Sequence, residues 1–194
     1  MPGDNYNPFD TTIPLVPEVF GHAGYAERKL PDGLLGRWGR STLPNDAVVT
    51  HVLLAPYRGE RPVVAFRDKR LWLPEGDVKD GESTEDAVRR VALEQTGISE
   101  LRFRQLGHLR CEATRGSVSQ AEGTVTYRVF YVVEVQELAD FPAESSNERH
   151  IVTQRDMNEL IRSHYVEFRR EYMEVLDIFV LELRKAAAQA ASGA

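Results

Sequence analysis

The stretch from Leu73 to Ile98 holds the residues whose types and spacing could bind a metal ion. Glu94 and Gln95 follow Val91 by three and four positions, and residues spaced in this way project from one face of a helix. A hard cation such as Mg²⁺ prefers carboxylate ligands, and a glutamine can add a neutral amide oxygen. This face therefore presents one carboxylate, that of Glu94, beside the amide of Gln95.

A capped helix is needed to present that face, and the sequence encodes one. Ser83 is a candidate N-cap with Asp86 at the third helical position, which is a capping-box arrangement. Gly97 is the residue type that most often ends a helix in the left-handed conformation. The pattern predicts a helix from Thr84 to Thr96, preceded by a loop in which Gly76 lets the backbone approach a phosphate or metal closely.

The same stretch resembles the Nudix box, the phosphate-and-metal motif of the Nudix hydrolases, whose pattern is G-x5-E-x7-R-E-U-x-E-E-x-G-U with U an aliphatic residue. The positions that fall on this pattern without a gap are Gly76, Glu82, Arg90, Ala92, Glu94, Gly97 and Ile98. Val91 and Gln95 stand where the family has glutamates. The resemblance implies the family's fold. The two replacements leave one of the family's three carboxylates. In the absence of a diphosphate, this protein should therefore bind a metal ion much more weakly than a relative with all three glutamates.

The resemblance also implies roles for individual residues. In the family this face binds Mg²⁺ or Mn²⁺, which bridges the diphosphate and activates or positions the attacking water. Glu94 would then be the principal metal ligand and a catalytic residue, assisted by Gln95 and the Gly76 carbonyl. The family often adds a glutamate from a loop beyond the box. Glu144 and Glu148 lie in that part of the chain, and we favour Glu148, as metal ligand and catalytic residue, because it directly precedes a short predicted strand.

Two further residues of the box are implied to be structural. In the family, the residues at the positions of Glu82 and Arg90 pair with each other and hold the loop against the helix. We expect both to act on stability more than on chemistry.

The order of elements around the box predicts the rest of the fold. β-branched residues and alternation predict strands on both sides of it, and apolar residues at spacings of three and four predict amphipathic helix near the C-terminus. We expect an α/β fold, a Nudix-type mixed β-sheet sandwiched between helices, with a long C-terminal helix. The chain would divide into an N-terminal arm (1–45), a Nudix-like domain (46–162), and a C-terminal helix with a frayed tail (163–194).

Three smaller features each leave two interpretations open. Gly33 to Leu43 is either a short strand or a docking loop. Trp72 could stack on a base, although packing in the core or at its rim is the preferred reading. Arg102, Arg104 and Arg110 alternate along a predicted strand and would share one face, which is more often a solvated face than a phosphate-steering one.

Composition bounds the partners. A net charge of −6 with no basic block argues against a nucleic-acid binder. A small phosphorylated substrate remains compatible with this charge, because a bound cation can supply the positive electrostatic field that attracts phosphate. No apolar run approaches the ~20 residues that a membrane span needs. A lone cysteine, Cys111, and a start without a secretory pattern predict a cytoplasmic protein.

The C-terminal region predicts a homodimer. Its predicted apolar stripe consists of Tyr165, Phe168, Tyr172, Val175, Phe179 and Leu183. One small sheet can cover only part of this length, and the remainder would expose a larger patch than monomers usually tolerate. A two-fold homodimer would bury it. The alternative is that residues 1–45 of the same chain cover the stripe.

We therefore expect an enzyme, a MutT-like Nudix hydrolase that cleaves a diphosphate linkage in a nucleoside diphosphate derivative with Mg²⁺ or Mn²⁺, weakly because two box glutamates are replaced. Water would attack phosphorus directly, since no Ser or Cys nucleophile with a partner base is evident. The alternative is a catalytically silent Nudix-fold module that binds a nucleotide or docks to a protein. A Nudix-related transcription regulator is disfavoured, because those proteins carry a winged helix that this sequence lacks.

Overall fold

The computed structural model describes residues 27–30, 32–141 and 147–164, with single helical positions at 170, 173, 176, 177, 180, 181, 184 and 188. In chain order the elements are β1 (Arg28–Lys29), β2 (Leu34–Gly39), β3 (Val49–Arg58), β4 (Arg61–Arg67), β5 (Arg70–Trp72), β6 (Glu75–Asp77), α1 (Thr84–Thr96), β7 (Ile98–Ala113), β8 (Val125–Leu138), β9 (Glu148–Ile151) and α2 (Gln154–His164).

The strands form a mixed sheet in the order β1-β2-β7-β8-β3-β4-β5, with β6 paired to β3 and β9 paired to β4. β3 and β8 are parallel to each other, and the other pairs are antiparallel. The parallel pair lies in the middle of the sheet and is buried on both faces, which is usual for parallel strands. The predicted α/β class and mixed sheet are confirmed.

Alternate side chains of β3 divide the core into two layers. Val52 and Leu54 pack in the cluster that contains the buried residues of α1. Leu53 and Ala55 pack in the cluster that contains α2, through residues such as Met157. The sheet therefore lies between helices, as predicted, and α1 is held on one face of its central strand.

Part of the predicted N-terminal arm belongs to this sheet. β2 pairs with β7, so the short strand predicted between Gly33 and Leu43 is present and the docking loop is not. Trp38 is buried and makes an edge-to-face contact with Phe130 at a centroid distance of 6.4 Å. A methyl group on Gly107 would lie 2.4 Å from Cζ2 of Trp38, so this close approach of β2 to β7 requires a glycine.

The described positions beyond residue 164 are helical. Leu176 and Val180 are buried in the same cluster as α2, and Met173 packs against it. The six residues of the predicted stripe lie outside the described residues, so the homodimer stays a prediction. Among the residues that the structure describes, no helix is both long enough and apolar enough to cross a membrane.

The expectation that the three arginines of β7 share one face is wrong. Arg104 lies opposite Val132, which packs on the side of α2, whereas Arg110 lies opposite Tyr127, which packs on the side of α1. The cause is a register shift between Gln105 and Gly107, where one additional residue enters β7. A bulge of this kind moves all later side chains to the opposite face.

Candidate functional site

The box helix α1 begins and ends as its sequence predicts. The Ser83 hydroxyl accepts a hydrogen bond from the Asp86 amide at 3.1 Å and donates one to the Asp86 carboxylate at 2.7 Å. Gly97 adopts a φ of 66°, and its amide donates back to the Leu93 carbonyl at 2.9 Å. Both ends of the helix are therefore fixed, and with them the directions of its side chains.

Gly76 and Val91 face each other across the contact between β6 and α1. Gly76 pairs with Val52 of β3, which packs in the same cluster as the buried residues of α1. A methyl group on Gly76 would lie 2.9 Å from Cγ2 of Val91, and Val91 is 0% exposed. Position 91 thus faces the core, and the close approach that requires the glycine is to an apolar side chain.

Glu82 and Arg90 form the expected pair. Arg90 donates from Nε to Oε1 of Glu82 at 2.7 Å and from Nη2 to Oε2 at 2.8 Å. This is the bidentate geometry of a strong arginine–carboxylate contact. Arg90 also donates to the Asp77 carbonyl at 2.8 Å, and the Lys79 amide donates to Glu82 at 3.0 Å. Hydrogen bonds from Arg90 and Lys79 lower the pKa of Glu82 to about 2. These bonds connect α1 to both ends of the loop that precedes it.

Glu94 provides the one carboxylate of the predicted metal-binding face. Its side chain is 53% exposed and lies 3.3 Å from Nη1 of Arg90, one helical turn earlier. Arg90 therefore contacts both Glu82 and Glu94 and offsets part of the negative charge that would attract a cation.

Gln95 is connected to the backbone of Glu75 on β6. The Gln95 amide donates from Nε2 to the Glu75 carbonyl at 2.6 Å, and its Oε1 accepts from the Glu75 amide at 3.3 Å. Exchanging oxygen and nitrogen in the Gln95 side chain would place two donors together and two acceptors together, so only this orientation satisfies both bonds. The amide oxygen that sequence analysis assigned to a metal ion is used here inside the protein.

The segment before β9 lies against the C-terminal end of α1. Asn147 donates from Nδ2 to the Glu94 carbonyl at 2.8 Å. Arg149 donates to the carbonyls of Thr96 at 3.3 Å and Ala139 at 2.5 Å. A cation at this end of a helix satisfies free carbonyl groups and interacts favourably with the helix dipole. Sequence analysis missed the contacts of Asn147 with Glu94 and of Arg149 with Thr96, because each joins residues 53 positions apart.

Glu148 therefore lies in a segment that contacts the box helix. It begins β9 opposite Phe66, is exposed, and lies 3.5 Å from Nε2 of His150. The other candidate, Glu144, lies outside the described residues. Because Glu148 follows Asn147 directly, its backbone lies close to the C-terminal end of α1, the helix that carries Glu94. The Glu148 carboxylate itself contacts His150.

A group of titratable residues on the opposite side of β6 was missed by sequence analysis. His51 of β3 contacts Asp77 through Nδ1 at 2.8 Å and Glu75 through Nε2 at 3.6 Å, and these acids flank Gly76. Burial disfavours the charged ring, but hydrogen bonds and charge from Glu75 and Asp77 outweigh it, so the pKa of His51 is raised. Only the pairing of β3 with β6 brings these residues together.

Trp72 is engaged by the protein itself. Its ring makes an edge contact with His164 of α2 at a centroid distance of 4.8 Å, and the Arg67 guanidinium lies 5.2 Å from the ring centroid. These contacts favour the packing role over the base-stacking role.

The side chains of the box do not fit a divalent cation. Position 91 offers buried methyl groups, Glu94 is paired with Arg90, and the Gln95 amide is bonded to Glu75. Across the described residues, no three or more His, Cys, Asp or Glu side chains are grouped so that they could hold a metal ion. An Mg²⁺ ion usually relies on one or two carboxylates together with substrate phosphates, and here the remaining carboxylate already has a cationic partner.

Comparison with known proteins gives one family match. A family model described as NUDIX domain matches residues 44–174, which include β3 to β9 and both helices. Among curated proteins, no sequence matches the chain. Similar solved structures include a Bacillus subtilis pyrophosphohydrolase (18% identity, TM-score 0.49, 65% of this chain and 76% of that one). An E. coli dihydroneopterin triphosphate pyrophosphohydrolase is similar at 14% identity and a TM-score of 0.41, over 58% of this chain and 88% of that one. A NUDIX hydrolase from Nitrosomonas europaea is similar at 15% identity and a TM-score of 0.45, over 68% of this chain and 89% of that one.

Proposed function

Because the chain belongs to the Nudix family, we propose that it binds a small nucleoside diphosphate derivative without the magnesium-dependent turnover that the family is known for. Nudix hydrolases act on small phosphorylated compounds and generally use divalent metal ions. In this function the protein binds the same class of small phosphorylated compound as those hydrolases but does not hydrolyse it with a metal ion.

The observation that carries this proposal is what the side chains do at the three positions of α1 where the family has glutamates. Val91 is in the core, Gln95 is bonded to the Glu75 backbone, and Glu94 contacts Arg90. The loop before the helix is nevertheless tied to it, because Arg90 binds both Glu82 and the Asp77 carbonyl. A frame that persists although two of the three family glutamates are replaced is what a binding module would retain.

The second candidate function is Mg²⁺- or Mn²⁺-dependent hydrolysis of a diphosphate linkage in such a derivative, at a low rate. It is favoured by the exposure of the Glu94 carboxylate and by the Asn147 contact, which brings the segment of Glu148 to the same end of the helix. Glu94 would be the principal ligand, and Gln95, the Gly76 carbonyl and Glu148 would assist it.

A screen over nucleoside diphosphate derivatives decides between the two functions. Phosphate release is measured with Mg²⁺ and with Mn²⁺, and the melting temperature is measured with each compound. We expect no metal-dependent release and a higher melting temperature with at least one compound. The screen includes Glu94→Gln and, as a matched control, Glu85→Gln, which removes an exposed carboxylate from the first turn of the same helix.

The other outcomes are equally specific. Metal-dependent release that is lost in Glu94→Gln and kept in Glu85→Gln would establish the hydrolase. A protein that neither releases phosphate nor gains stability with any compound would contradict ligand binding and leave the protein-docking module.

A further inference from the structure

The bond between Gln95 and Glu75 joins the box helix to the strand that carries the box glycine. Glu75 belongs to β6, and its amide and carbonyl groups both bind the same side-chain amide. The contact is half-buried and joins residues 20 positions apart. It is therefore a connection between α1 and β6 that is separate from the one Arg90 makes.

A carboxylate in place of the Gln95 amide could not make this connection. It would still accept from the Glu75 amide, but its second oxygen would face the Glu75 carbonyl oxygen at the position where Nε2 now donates across 2.6 Å. Two oxygens that both accept and cannot donate repel each other at that distance, unless a proton or a cation lies between them. The amide N–H supplies the positive end of this contact without a metal ion.

We propose that Gln95 replaces a divalent cation as the bridge between α1 and β6, so that the box of this protein is held in shape without metal. Val91 completes the arrangement, because its side chain fills the space directly under Gly76 with methyl groups. The inference rests on the proposed function only in that both leave the box without a metal ion in the ligand-free protein, and its test measures stability and not turnover.

Melting temperatures of four proteins in EDTA and in millimolar Mn²⁺ test the bridge. The wild type should melt at the same temperature in both. Gln95→Leu keeps the approximate size and loses both bonds, so it should melt about 2–8 °C lower in both, the loss expected for one or two hydrogen bonds in a chain of this length. Gln95→Glu should melt lower than the wild type in EDTA and should regain stability with Mn²⁺. Leu93→Glu is the matched control, because it adds a carboxylate at an exposed position of the same helix and should show no response to Mn²⁺.

Two results would overturn the bridge. One is a wild-type melting temperature that rises with Mn²⁺ and ceases to rise in Gln95→Leu, since Gln95 would then be a metal ligand. The other is a Gln95→Glu protein that is indifferent to Mn²⁺. If Gln95→Glu does not fold in EDTA, its refolding yield with and without Mn²⁺ replaces the melting curve, and the absence of any rescue by metal counts against the bridge. Metal-dependent phosphate release by the wild type would end the proposed function while leaving these melting curves to decide the bridge.

Discussion

Val91 lies directly beneath Gly76, so close that a methyl group added to the glycine would come within 2.9 Å of the valine Cγ2 atom. The two positions are therefore coupled by packing. Gly76→Ala should destabilise the protein by about 1–3 kcal/mol, because extra atoms in a filled core force side chains or backbone to move. Val91→Ala alone should cost on the order of 2 kcal/mol through lost burial and a cavity.

The double variant tests the coupling. Removing the valine methyl groups makes room for the alanine methyl, so the double variant should lose less stability than the sum of the single changes. Urea unfolding of the four proteins measures this difference. Additive losses would show that the two side chains do not meet.

Arg90 connects the box helix to the preceding loop through its bonds to Glu82 and to the Asp77 carbonyl. Arg90→Ala should lower the melting temperature clearly, because it removes the bidentate donor of Glu82 and the donor to the Asp77 carbonyl. Arg102→Ala is a suitable control, since Arg102 is exposed and lies 3.9 Å from Glu134. Thermal unfolding of both variants gives the comparison. Equal, small shifts would contradict a structural role for Arg90.

The Glu82 carboxylate should make the protein sensitive to acid. Its pKa is lowered from 4.5 to about 2 in the folded protein, so its contribution to stability is fully present above pH 4.5 and is lost as the pH falls from 4.5 through about 2. In Glu82→Gln this part of the acid dependence should disappear. Unfolding free energies measured between neutral pH and pH 2 check it, and a Glu82→Gln protein with the same acid dependence as the wild type would refute it.

The parts of this site that sequence predicts are local. Ser83, Gly97 and the pairing of Glu82 with Arg90 depend on residues within one turn, one helix or one loop, and the structure confirms each of them. The contacts of Gln95 and Asn147 depend on which backbone group lies opposite a side chain, and this follows from the packing of whole elements. Sequence spacing does not contain that information.

The same limit explains the arginines of β7. Alternation along the sequence predicts a shared face only for an uninterrupted strand, and the bulge between Gln105 and Gly107 breaks the alternation. A glycine in a strand is compatible with a bulge, with a close backbone approach, or with both. Gly107 has both, since it follows the additional residue and lies against Trp38.

His51 should give the protein a second pH dependence, near neutrality. The protonated ring can donate to both Asp77 and Glu75, whereas the nearby Arg128 of β8 is paired with Asp32 at 2.5 Å. Because the pKa of His51 is raised in the folded protein, the stability it contributes is fully present below 6.5 and is lost as the pH rises through the folded pKa.

A histidine NMR titration gives the folded pKa of His51 directly. Unfolding free energies across the neutral range give the linked loss of stability, which should be absent in His51→Asn. A folded pKa at or below 6.5 would contradict the contacts with the two carboxylates.

The C-terminal helical positions should take part in a two-fold homodimer. Leu176 and Val180 are buried in the cluster that contains α2, while Leu181 is 52% exposed. The sequence places further apolar residues at Val175 and Phe179. Light scattering or sedimentation at micromolar concentration should give the mass of a dimer.

Leu181→Asp should shift that mass towards the monomer, because it introduces a charge at an exposed apolar position of this helix. Val118→Asp is the matched control, since Val118 is 91% exposed in the loop between β7 and β8, and the change there should leave the dimer intact. A wild type that is monomeric at this concentration would refute the dimer and favour the alternative in which residues 1–45 cover the apolar surface of the same chain.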